Sequence, residues 1–123
     1  TLLAAEPNNP ILLNNLAWSL GQMKDPKAIA LAEQANKLAP NQPAILDTLG
    51  MLLIEQGNIA RGLELLGQAV KLSPQAGAIR LNHAKALLKA GNKAAARQEL
   101  DELVKLGDKF PAQNEVAALL KGL

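Results

Sequence analysis

The chain has 123 residues, 49% of them apolar and 20% charged, with 13 basic against 11 acidic side chains for a net charge of +2. One domain of this length can bury a real core, and the even charge balance gives no sign of a nucleic-acid partner. Without cysteine there is no disulfide framework and no thiolate metal site. Ala and Leu predominate, and Trp18 and Phe110 are the only aromatics. Strong helix formers with few strand formers specify an all-α fold. No apolar run reaches the roughly 18 residues that a membrane span requires.

In chain order, residues 1–6 read as the tail of a helix, closed by Pro7-Asn8-Asn9-Pro10. Similar punctuation recurs at Ala39-Pro40-Asn41-Gln42-Pro43 and Ser73-Pro74-Gln75-Ala76-Gly77, so that Pro7, Pro40 and Pro74 mark near-equal intervals. The period is roughly 34 residues, and with helical sequence between the marks it predicts stacked helical hairpins. Residues 10–42, 43–76 and 77–108 form three such units, followed by a capping helix over about 112–121. In the middle unit, Ile45, Leu46, Leu49, Leu52 and Leu53 make the stripe of a first helix over 44–56. Gly57-Asn58 ends it, and a second helix over 59–72 turns Leu63, Leu66, Ala69 and Val70 inward before Pro74 stops it.

The middle unit resembles a tetratricopeptide repeat (TPR), with Leu46, Leu49, Gly50, Leu53, Gly62, Leu66, Ala69 and Pro74 in the pattern positions. The first unit supplies Leu13, Leu16, Ala17, Leu20, Ala28, Ala32, Ala35 and Pro40, and is one residue short at Lys24-Asp25-Pro26. The third supplies Ala84, Leu87, Gly91, Ala96, Leu100 and Leu103, but puts Arg80 and His83 where apolar residues belong. The resemblance implies an α-α superhelix, a single domain over 1–123 that is the C-terminal part of a longer array. It also implies a non-catalytic scaffold that binds a protein or peptide in its concave groove. The alternative is a structural spacer or oligomerisation segment, with Leu2, Leu3, Ile11 and Leu12 open to self-association. Neither cofactor nor metal is expected, nor is membrane insertion of these residues.

By the same resemblance, the first helix of each hairpin lines the groove. The facing positions are Ile11, Asn14, Asn15, Trp18 and Gln22; then Ala44, Asp47, Thr48, Met51 and Glu55; then Ala78, Leu81, Asn82, Lys85 and Lys89. Asn14, Trp18, Met51, Asn82 and Lys85 are the expected partner contacts, since Trp and Met serve large, adaptable interfaces. The places of the carboxylate clamp found in chaperone-binding TPR domains hold Asn14, Trp18, Thr48, Ala78 and Asn82. They lack its basic residues, which argues against recognition of a C-terminal carboxylate.

Catalytic groups are sparse. His83 is the sole histidine; a pairing with Thr48 lacks an orienting carboxylate, so His83 reads as a partly buried, hydrogen-bonded neutral imidazole. Basic residues at 71, 80, 85, 89, 93, 97, 105 and 109 outnumber the acids at 99, 101, 102 and 108. They read as solvated helix faces, with Glu99 pairing beside Lys93 and Arg97. Finally, Asn14-Asn15-Leu16-Ala17-Trp18, Asp25-Pro26-Lys27-Ala28 and Ile45-Leu46-Asp47-Thr48-Leu49-Gly50 resemble the C-terminal repeats of bacterial TPR lipoproteins of exosortase/PEP-CTERM exopolysaccharide systems. That narrower resemblance implies a periplasmic, membrane-anchored parent; without it, a cytoplasmic one.

Overall fold

A computed structural model describes residues 8–123. The expectations for residues 1–6, including Leu2 and Leu3, lie outside them. The order is α1 (Pro10–Gln22), α2 (Lys27–Leu38), α3 (Pro43–Gln56), α4 (Ile59–Leu72), α5 (Gly77–Lys89), α6 (Lys93–Lys105), a 3₁₀ turn at Gly107–Lys109, and α7 (Gln113–Lys121). No strand occurs among the described residues. Consecutive helices pair as α1/α2, α3/α4 and α5/α6, the hairpins stack in order, and α7 closes on α6.

Local chemistry sets the boundaries. Asn9 caps α1, its Oδ1 accepting from the N–H groups of Ile11 (2.9 Å) and Leu12 (3.3 Å). Pro10 and Pro43 open α1 and α3, where a missing N–H costs nothing. Each hairpin turn closes with the same pair of backbone bonds. In the second, Gly57 N–H donates to Ile54 O and Asn58 N–H to Leu53 O; in the third, Gly91 and Asn92 do likewise to Leu88 and Leu87. Gly57 and Gly91 are left-handed, with φ of 100° and 84°.

The first turn corrects the sequence reading. It is not shortened: Lys24 takes the left-handed place at φ 58°, with Lys24 N–H to Gly21 O and Asp25 N–H to Leu20 O. The missing residue is lost one step later, in the first turn of α2. There Ala28 N–H reaches back three residues to Asp25 O, whereas Gly62 and Ala96 reach back four, to Asn58 and Asn92. A tightened, 3₁₀-type start absorbs the deletion. Asp25 still caps the helix, its Oδ1 2.9 Å from Lys27 N.

The core is continuous across hairpins. Ala17, Ala28, Ala32, Leu46, Leu49, Leu52, Leu53, Leu65 and Ala69 form one buried cluster spanning the first two. Gly50 and Gly62 face each other where α3 and α4 leave no room for a Cβ. A Cβ on Gly62 would stand 2.7 Å from Ile54 Cδ1 and 2.8 Å from Gly50 O, so only hydrogen fits there. In the third hairpin, Leu81, Ala84, Leu100 and Leu103 meet Phe110 and Val116. The last helix therefore buries an apolar face that the array would otherwise leave open. Gln113 secures it, its Nε2 donating to Leu103 O (2.6 Å) and Gly107 O (3.1 Å), carbonyls that also accept from the N–H groups of Leu106 and Phe110.

Candidate functional site

Helices α1, α3 and α5 are the first helices of the three hairpins, and α3 packs against both of the others. Trp18, Met51 and Lys85 hold one and the same place in successive repeats. Trp18 is 46% exposed. Met51 is half-buried against Ile54, Leu66 and Ala86 at the junction of the second and third hairpins. The Lys85 ammonium pairs with the Glu115 carboxylate of α7, so this side chain ties the array to its cap.

The polar residues are also largely engaged. Asn82 Nδ2 donates to both oxygens of Asp47, at 3.0 and 3.3 Å, joining α5 to α3. Burial pushes the Asp47 carboxyl above its ordinary value, and the Asn82 bond opposes that rise without cancelling it. Asn14 differs: its Oδ1 is buried and, among the described residues, has no hydrogen-bond partner. The fuller groove assignment needs a correction. Thr48 and Leu81 are 6% and 5% exposed and belong to the packed interior. Thr48 also spends its hydroxyl on Ala44 O at 3.1 Å, because a threonine on a buried helical face has only the carbonyl one turn back to satisfy it.

Arg80 and His83, the two departures from the repeat pattern, meet on one carboxylate. Arg80 Nη1 lies 2.9 Å from Glu99 Oε1, and His83 Nδ1 lies 2.7 Å from Glu99 Oε2. The three side chains are 16%, 18% and 13% exposed. Arg80 also donates from Nε and Nη2 to Pro74 O. Glu99 thus pairs across the hairpin and not with Lys93 or Arg97, and His83 does have an orienting carboxylate, contrary to the sequence expectation. The signal that finds Glu99 is the register. Positions 80, 83 and 99 are the third-hairpin equivalents of Leu46, Leu49 and Leu65, which share one buried cluster.

Of the C-terminal basic residues, Arg80, Lys85 and Lys105 are in ion pairs, the last with Glu102 at 3.1 Å. Between the first two hairpins, Arg61 grips Glu33 with both terminal guanidinium nitrogens, at 2.6 and 2.9 Å. Among the described residues, no group of three His, Asp or Glu side chains is placed to hold a metal ion. No helix among them is long and apolar enough to cross a membrane.

Comparison with known proteins agrees with this architecture. A family model described as tetratricopeptide repeat matches residues 53–121. A TPR repeat-containing protein of Pseudomonas aeruginosa is 38% identical over 61 residues, which is 48% of this chain and 10% of that protein. Among solved structures, YrrB, described as a TPR protein with an unusual peptide-binding site, superposes with a TM-score of 0.76 at 21% identity. That match covers 94% of this chain and 58% of YrrB. PilF of Pseudomonas aeruginosa gives 0.70 at 21% identity, over 95% of this chain and 60% of its own. A mutant of MamA gives 0.69 at 20%, over 85% and 77%. The chain therefore spans a tenth of its curated relative and about three-fifths of YrrB and PilF.

Proposed function

Because this chain belongs to the tetratricopeptide repeat family, as residues 53–121 establish, we propose that it is a non-catalytic scaffold that holds a peptide or protein segment against α1, α3 and α5. The observation that carries the proposal is Trp18, a large aromatic left 46% exposed at the repeat position next occupied by Met51 and Lys85. Exposed Trp is costly to leave wet and is typical of binding hot spots. The unusual peptide-binding site for which YrrB is described gives the reading a precedent in this fold.

On this reading Trp18 supplies the anchor, Met51 an adaptable apolar surface, and Asn14, partly exposed on the same helix as Trp18, a polar neighbour. Asn82 and Lys85 act at the edge and exchange their internal partners, Asp47 and Glu115, for the ligand. From the narrower resemblance at Asn14–Trp18 and Ile45–Gly50 we further propose a role in bacterial exopolysaccharide production or protein sorting, as part of a membrane-anchored periplasmic scaffold. The test is affinity capture with the protein, identifying partners for wild type and for Trp18→Ala and Lys85→Gln. Selective loss of one partner from both variants at unchanged melting temperature supports the assignment. Retention of every partner overturns it. A second reading, in which the segment is a spacer or self-associates, has in its favour Ile11 and Met23, 67% and 68% exposed on the first hairpin. It predicts a concentration-dependent mass in light scattering that Ile11→Ser abolishes.

A further inference from the structure

The three first helices differ in charge. Helix α1 carries no charged residue, and α3 carries Asp47 and Glu55 with no base. Helix α5 brings Arg80, Lys85 and Lys89, but Arg80 is paired with Glu99 and Lys85 with Glu115. Glu55 and Lys89 hold the same place in successive repeats and line one cavity, so their charges offset each other. Asp47 is the charge left over.

Its geometry agrees. Asn82 Nδ2 reaches both of its oxygens from α5, which places the carboxylate in the seam between two first helices, one turn before Met51. A carboxylate offers about four acceptor sites, and this one receives a single amide nitrogen. Asp47 makes no ion pair among the described residues. Burial pushes its carboxyl up and only the Asn82 bond opposes the rise, so no cation neutralises it. Asp47 nonetheless keeps part of its surface open to solvent. Glu55 is exposed, where water screens it. A cation gains more at the half-buried site, because attraction grows as the surrounding dielectric falls.

On the proposed binding mode, Asn82 leaves Asp47 for the ligand. The carboxylate is then stranded unless the ligand brings a donor in exchange. Resting on that mode, we infer that Asp47 is a specificity-determining residue, and that the bound segment presents a Lys or Arg side chain to it. The cation supplies charge-assisted hydrogen bonds to the carboxylate, while Trp18 and Met51 take the apolar neighbours of the basic residue. Arginine suits the site best, since its planar fork bonds both oxygens at once. The same charge lowers the stability of the free protein and raises the affinity of the complex.

The test is selection of a randomised peptide library, displayed on phage, against the 123-residue chain and against its Trp18→Ala and Asp47→Asn variants. The expected result is a set of peptides that needs Trp18 and carries Lys or Arg at one position, a preference lost on Asp47→Asn. In a synthetic peptide from the set, the basic residue is replaced by its neutral isostere, citrulline for Arg or acetyl-lysine for Lys. That change weakens binding to wild type at least about fivefold, and binding to Asp47→Asn less than about twofold. Asp47→Asn melts no lower than wild type. A neutral peptide that binds wild type undiminished overturns the inference, whatever the variant does. So does a larger loss on Glu55→Gln than on Asp47→Asn. Trp18-dependent peptides with no basic position, or with the same one on Asp47→Asn, also overturn it and leave the groove reading standing. If no selected peptide depends on Trp18, the groove reading itself fails and the inference falls with it.

Discussion

The second and third hairpins solve one packing problem with opposite chemistry. In the second, Leu46, Leu49 and Leu65 lie in a wholly apolar cluster, and α3 and α4 close to glycine contact at Gly50 and Gly62. In the third, the same three register positions carry Arg80, His83 and Glu99, joined by bonds of 2.9 and 2.7 Å. Apolar packing tolerates no added volume but is indifferent to the loss of any one charge. The polar cluster is the reverse: each member depends on the others, because a half-buried charge without its partner keeps its desolvation cost. The repeat pattern thus constrains where side chains meet more tightly than what they are made of.

The largest predicted effect breaks the apolar member of the pair. Gly62→Leu forces α3 and α4 apart and lowers stability by about 3 kcal/mol or more in urea unfolding. Next comes Glu99→Leu, expected to cost about 2–4 kcal/mol by stranding Arg80 and His83. The triple change Arg80→Leu, His83→Leu, Glu99→Leu restores the leucine set of the second hairpin and should return stability to wild type or above, because desolvated charges are exchanged for packing. If the triple variant falls as far as the single one, the equivalence of the two hairpins is wrong. The smallest effect concerns Arg61–Glu33, about 40% exposed and worth no more than about 1 kcal/mol. The hydrogen bond from Arg61 holds the Glu33 carboxyl below its ordinary value. Its stabilisation is therefore complete above the unfolded-state pKa and fades as pH falls through the lower folded one. Asp47 has the opposite sign: with its pKa raised by burial, it costs stability at neutral pH and that cost is relieved on acidification. Asp47→Asn should remove the second trend and leave the first, as read from melting temperature against pH.

Hairpin order, helix ends and the core are readable from residues, because Pro marks, caps and apolar stripes at helical spacing are local. The sequence places α4 over 59–72, and the helix is Ile59–Leu72. Three things resist. The deletion in the first hairpin reads as a shortened turn because Lys24 does not look like a left-handed residue; only the backbone bonds move it into α2. Glu99 reads as paired with its sequence neighbours because an ion pair between α5 and α6 leaves no local trace, although the register holds the information. The partners of Asn82 and Lys85, namely Asp47 and Glu115, come from another hairpin and from the cap, far away along the chain. Burial of Thr48 and Leu81 has the same origin, since how far a helix rotates in its stack is decided by its neighbours.

The most direct measurement of the binding surface is photo-cross-linking of the protein, with a photoreactive residue at position 18 on α1 or at position 34 on α2. Both sites are exposed, and they lie on the first and second helices of one hairpin. If α1, α3 and α5 hold the partner, one defined protein or peptide cross-links from position 18 and not from 34, and Met51→Glu suppresses it. Equal yield from both positions, or a product from 34 alone, contradicts the account.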